Sequence, residues 1–163
     1  MQRFIRRRLI KCISYYGHSK EHRLRNIASA FAEKESICKY YFIDNGILSL
    51  QLMDCETILL ENMVARSLFR KYGHDEDNER VFFYNAHIEV DFYVPDDELA
   101  IQVAYSIADP DTLHRESSAL GKLPQVHPCR RRIIITYDEE GTLEDKYGTI
   151  EVIPAWKWLL EEY

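Results

Sequence analysis

Residues 89–107 read EVDFYVPDDELAIQVAYSI. Two apolar-rich runs, about 87–94 and 98–106, flank Pro95-Asp96-Asp97, and the spacing predicts an antiparallel hairpin turning at that triplet. Alternation places Gln102 and Ala104 on one face of the second strand and Ile101 and Val103 on the other. Asp91 lies near the end of the first strand. A metal-dependent nuclease needs an acid there and an acid-x-lysine on the following strand, so that carboxylates hold Mg²⁺ and the lysine handles charge and proton. Here the second element is Gln102-Val103-Ala104. An amide carries no charge to offset ion dehydration, and a methyl group neither donates a proton nor stabilises an oxyanion.

The elements on either side supply a frame. CETILLENMVARSLFRKYG (55–73) sets Leu60, Val64, Leu68 and Tyr72 at i+4 steps with Gly73 as a stop, which predicts a helix. RVFFYN (80–85) predicts a strand before the hairpin. Asp109-Pro110 opens a helix over about 110–123. The isoleucine-rich RRRIIITYD (130–138) predicts a strand buried on both faces. GTIEVI (148–153) predicts another, and PAWKWLLEEY a closing helix. The expected class is α/β, a mixed central sheet in the order helix, three-strand meander, helix, strand, strand, helix, over residues 51–163. Residues 1–50 predict a short helical and strand appendage. It comprises a helix near 3–16, a second near 19–33, and a strand from Cys38 running into a turn at Asn45-Gly46.

That order is the core of restriction-endonuclease-like nucleases. Glu61 on the first helix, Asp91, Gln102 and Ala104 occupy the four expected positions, so the site is degenerate. Glu61 and Asp91 are the surviving candidate metal ligands. Arg115 and Glu116, early in the next helix, are candidate replacements for the lost charge and carboxylate. Arg130, Arg131 and Arg132 are candidate phosphate contacts for DNA, weighed against a solvated strand end that guards the apolar run behind it.

KYYFIDNGILSL, LLENMVARSLFRKYG, NAHIEVDFYVPDDELAIQVAYSI, LHRESSAL and IIITYDEEGTLE…IEVIPAWKWLL together resemble the C-terminal region of prokaryotic AAA-type ATPases, from about residue 19 to the end. In that family a P-loop ATPase is joined through a winged-helix segment to a domain described as restriction-endonuclease-like. The resemblance implies that residues 1–50 correspond to the tail of the winged-helix linker. It also implies that a glutamine in the IQV strand is a feature of a branch. The implied partner is a P-loop ATPase domain, in the same or a neighbouring polypeptide. The six glycines nowhere form G-x-x-x-x-G-K-[ST], so this sequence does not cradle nucleotide phosphates itself. The expectation is a non-catalytic module acting in binding or assembly, with DNA and self-association as admissible partners and no cofactor. The alternative is a divergent Mg²⁺-dependent endonuclease.

Charge and cysteines fit this picture. The net charge is −6, yet residues 1–25 hold eight Lys/Arg and one acid, leaving about −13 on the remainder. A basic segment on an acidic body points to an electrostatic contact within the chain or with a partner. Cys12, Cys38, Cys55 and Cys129 form no CxxC pair, and no His pair shares a helix at ligand spacing. No apolar run is long enough to span a membrane, and residues 1–13 lack the apolar core of a secretory signal, so a cytoplasmic location is expected.

Overall fold

A computed structural model describes residues 21–26, 38–42, 44–49, 56–73 and 80–161. The strands are β1 (Glu21–Asn26), β2 (Cys38–Phe42), β3 (Phe82–Asn85), β4 (Glu89–Val94), β5 (Leu99–Val103), β6 (Arg131–Thr136), β7 (Gly141–Asp145) and β8 (Gly148–Pro154). The helices are α1 (Asn45–Ser49), α2 (Glu56–Tyr72), α3 (Pro110–Lys122) and α4 (Ala155–Glu161). All eight strands form one mixed sheet in the order β2-β1-β3-β4-β5-β6-β8-β7. Helices cover both faces, the arrangement expected of an α/β protein.

The hairpin that organises the sequence is present: Phe92 pairs with Ile101, Tyr93 with Ala100 and Val94 with Leu99. Pro95–Asp97 forms a single 3-10 turn, closed by Glu98 in the left-handed region (φ 50°). β5 and β6 are parallel, as are β6 and β8. Their crossovers run through α3, which Asp109 caps by accepting the Thr112 N–H, and through the β7 excursion. β6 is buried on both faces. Ile133 and Ile135 enter a core with Leu60, Val64 and Leu68 of α2 and Trp158 of α4, while Ile134 joins Ala119 and Leu120 of α3 on the opposite face.

Several expectations are corrected. Residues 21–26 form a strand rather than part of a helix, because β1 pairs with both β2 and β3. The helix expected at 3–16, and residues 27–33 of the second, lie outside the described residues. Asn45-Gly46 begins α1 rather than making a turn, with the Asp44 carboxylate accepting the Gly46 N–H. β7 has no counterpart in the expected order; it is an edge strand whose residues are exposed or half-buried and carry no apolar alternation. The same sheet runs across residue 50. β1 and β2 extend it, and Tyr41 packs in the core with Phe69 and Phe92.

Candidate functional site

β4 carries a bulge. Phe82 pairs with Tyr93 but Tyr84 pairs with Val90, so the register slips around Asp91 and Phe92. Bulges re-aim side chains, and this one lets Asp91 reach the α2 side of the sheet while Gln102, opposite it on β5, faces α3. The two strands are held together here by crossed side-chain bonds. The Asp91 N–H donates to Gln102 Oε1 at 2.8 Å, and the Val103 N–H donates to Asp91 Oδ2 at 3.0 Å.

The other Asp91 oxygen is taken by a residue the sequence reading did not select. Lys39 of β2 is buried, and its Nζ lies 2.8 Å from Asp91 Oδ1, 3.4 Å from Glu61 Oε1 and 3.3 Å from Glu89 Oε1. Tyr41, two residues on and on the same side of the strand, donates its hydroxyl to Glu61 Oε1 at 2.8 Å. Burial on its own lowers the Lys39 ammonium. Asp91 and Glu61, with Glu89 behind them, outweigh it and hold the group above the ordinary lysine value. The signal that could have found it is local. In CKYYF the inward positions of an edge strand are Lys39 and Tyr41, and an inward lysine demands a buried carboxylate.

On the α3 side Gln102 is fully committed. Its Nε2 donates to the Glu89 carbonyl at 2.9 Å and to Glu116 Oε2 at 2.8 Å. Arg115, largely exposed, forks onto the other Glu116 oxygen through Nε and Nη2. The structure therefore brings Glu61, Asp91, Gln102 and Glu116 into one connected polar chain. Glu116 meets the amide of Gln102 rather than the Lys39 cluster, and Arg115 addresses Glu116. Ala104 is buried and contributes only its backbone, donating to Ile135 O.

The arginine run divides. Arg132 is 2% exposed and held in a fork by Asp145, and Arg131 is held by Glu151, while Arg130 is exposed. Both acids are pushed below the ordinary carboxylate range, chiefly by those bonds. Gly121 of α3 sits directly over Asp145; a Cβ there would lie 2.9 Å from its Oδ2, so glycine is what allows the helix to close over the pair.

No family model matches the chain, and no solved structure does. An uncharacterized protein of Methanocaldococcus jannaschii, MJ1544, is 33% identical over 137 residues, a match covering 77% of this chain and 30% of that protein. The chain thus spans less than a third of that relative's length.

The site does not suit Mg²⁺ in this arrangement. The Lys39 ammonium fills the space between the Glu61 and Asp91 carboxylates, and Gln102 Oε1 is turned to the Asp91 N–H. Among the described residues no set of three or more His, Cys, Asp or Glu is placed to hold a metal ion. No helix among them is long and apolar enough to cross a membrane.

Burial raises the Glu116 carboxyl above its ordinary value; the bond to Arg115 opposes this, and the charges of Asp91 and Glu89 add to it. The folded chain therefore holds this proton more tightly than the unfolded chain. Stability falls as pH rises from the ordinary glutamate value of about 4.3 through the folded value. Glu116→Gln keeps an acceptor for Gln102 and removes that dependence. Urea midpoints measured from about pH 4 to pH 7 are expected to show a flatter profile, with stability at neutral pH within about 1 kcal/mol of the parent or above it.

Proposed function

We propose that this chain is a nuclease-like, non-catalytic module of a prokaryotic P-loop ATPase of the AAA type, with a restriction-endonuclease-like core that acts in binding or assembly. The observation that carries the reading is the Lys39 ammonium seated between Glu61 and Asp91. A site once suited to a divalent cation is here satisfied by a covalent part of the chain, and Gln102 and Ala104 supply neither of the remaining catalytic groups. The resemblance to the C-terminal region of such ATPases supports the implied partner, a P-loop domain in the same or a neighbouring polypeptide. The match to the archaeal relative leaves most of that protein's length outside it, which accords with a module of something larger. DNA remains a candidate ligand only through Arg130 and Arg115, since Arg131 and Arg132 are engaged internally.

The alternative, a divergent Mg²⁺-dependent endonuclease using Glu61, Asp91 and Glu116 or Arg115, rests on a lysine standing beside two acids. It requires Lys39 to withdraw and a cation to enter. Supercoiled and linear DNA incubated with the protein and millimolar Mg²⁺ or Mn²⁺ are expected to stay intact, and calorimetric titration with Mn²⁺ is expected to show no saturable heat. Metal-dependent cleavage that Asp91→Ala abolishes would replace the first reading with the second.

A further inference from the structure

The carboxyl ends of the parallel strands carry a row of exposed aromatic rings. Tyr105, just beyond β5, and Tyr137, just beyond β6, stack with ring centroids 4.8 Å apart and planes 20° apart. Their backbones are tied by a Tyr137 N–H to Tyr105 O bond of 3.0 Å. Trp156 follows β8, the next strand, in which Pro154 pairs with Thr136. Tyr137 is 54% exposed and Trp156 59%. This edge is where open α/β sheets present ligand sites.

The surrounding charges select the ligand. Asp138 and Glu56 bear on Tyr105 strongly enough to raise its hydroxyl, after burial and Tyr137. Glu139 is fixed in place, accepting from Ser106 Oγ and the Ile107 N–H. Glu140 is paired with Lys157. Four carboxylates and one lysine make a poor platform for a polyanion, although the rings could stack with bases. They suit guanidinium groups, which are planar, stack on aromatic faces and bind carboxylates.

The sequence contains such a ligand in RFIRRRLIK, residues 3–11, the densest part of the basic N-terminal segment. We propose that the Tyr105–Tyr137 stack, with Trp156 along the same edge and Glu56 and Asp138 around it, receives the arginine-rich segment Arg3–Lys11 of a second copy of this chain. The geometry favours the second copy. Following the paired registers, Glu21 lies four strands across from β6 and toward the opposite end of the sheet, some 35 Å from Tyr137 in a straight line at ordinary strand spacings. Thirteen residues separate Arg8 from Glu21 and reach about 43 Å at most, little more than that line before any detour around the helices. None of these groups belongs to the Asp91 and Glu61 cluster, so docking here is independent of what that cluster does.

The test places the photoreactive residue p-benzoylphenylalanine at position 137 of the full chain, with the same probe at Tyr147, also exposed, as control. Irradiation is expected to yield an adduct of dimer mass from position 137 alone, with the crosslinked peptide falling in residues 3–11. Yield is expected to drop about fivefold or more when Arg6, Arg7 and Arg8 are changed together to Gln, and to drop as salt rises. Circular dichroism melts of each variant establish that the fold is kept. An adduct confined to one chain, an adduct mapping elsewhere, no adduct, or preferential capture of an added single-stranded oligonucleotide at position 137 overturns the proposal.

Discussion

Lys39→Met is expected to destabilise the folded chain by about 3–5 kcal/mol at neutral pH, the loss typical when one member of a buried ion pair is removed. Methionine nearly matches the lysine stem in volume, so little of the loss comes from packing. The cost lies with the acids left behind. Glu61 retains only the Tyr41 hydroxyl for the oxygen that faced the ammonium, and Asp91 Oδ1 loses its 2.8 Å partner. In the parent, Lys39 is held above its ordinary value, so its contribution is complete below about pH 10.4 and is lost only as pH climbs through the higher folded value. In the variant the two carboxylates are desolvated without a counter-charge and take up protons more readily when folded. The deficit should therefore shrink on acidification, and millimolar Mn²⁺ should recover part of it at neutral pH. Urea unfolding followed by circular dichroism at several pH values measures all of this. A deficit below about 1 kcal/mol, in the range of an exposed pair, would mean that the ammonium does not hold these acids together.

Restoring the acid that a nuclease would carry is expected to harm this protein rather than awaken it. Gln102→Glu keeps an acceptor for the Asp91 N–H but loses both donated bonds, and it turns a carboxylate toward the Glu89 carbonyl and the Glu116 carboxylate. Leaving such buried groups unmatched costs about 2–4 kcal/mol. The cost should fall as pH is lowered, because the introduced carboxyl, once protonated, can again donate. Thermal and urea unfolding near neutral pH and near pH 5, with and without Mg²⁺, decide the matter. Metal-dependent DNA cleavage gained by this single change would show that the amide was the only missing part, contrary to the role assigned to Lys39.

The legible parts of the fold are those with strong periodicity. The i+4 stripe of α2, the hairpin around Pro95, the Asp109-Pro110 start of α3 and the isoleucine run of β6 all appear close to where the residues place them. β7 escapes because a half-exposed edge strand such as GTLED needs no apolar alternation; only its register with β8 defines it. EHRLRN reads as helix because Leu24 falls at helical spacing with Ile27 and Phe31, and pairing with β2 and β3 overrides that local pattern. At the site, the juxtaposition of Asp91 and Gln102 follows from hairpin arithmetic. Lys39 does not, since it is 52 residues from Asp91 and its approach depends on β2 closing the far side of the sheet. The arginine run shows the converse. Its charges suggest an outward role, while Asp145 and Glu151, distant in sequence, take up two of the three.

The tie between Asn62 and β2 bears on how the protein stays soluble. Asn62 of α2 accepts the Phe42 N–H at 2.7 Å and donates to the Phe42 carbonyl at 2.9 Å, with Asn45 bracing the same amide. One side chain thus imitates a neighbouring strand along the last rung of an outermost strand. Foreign backbone arriving at that margin finds both groups of Phe42 already occupied, so templated strand addition, the first step toward fibrils, lacks a foothold there.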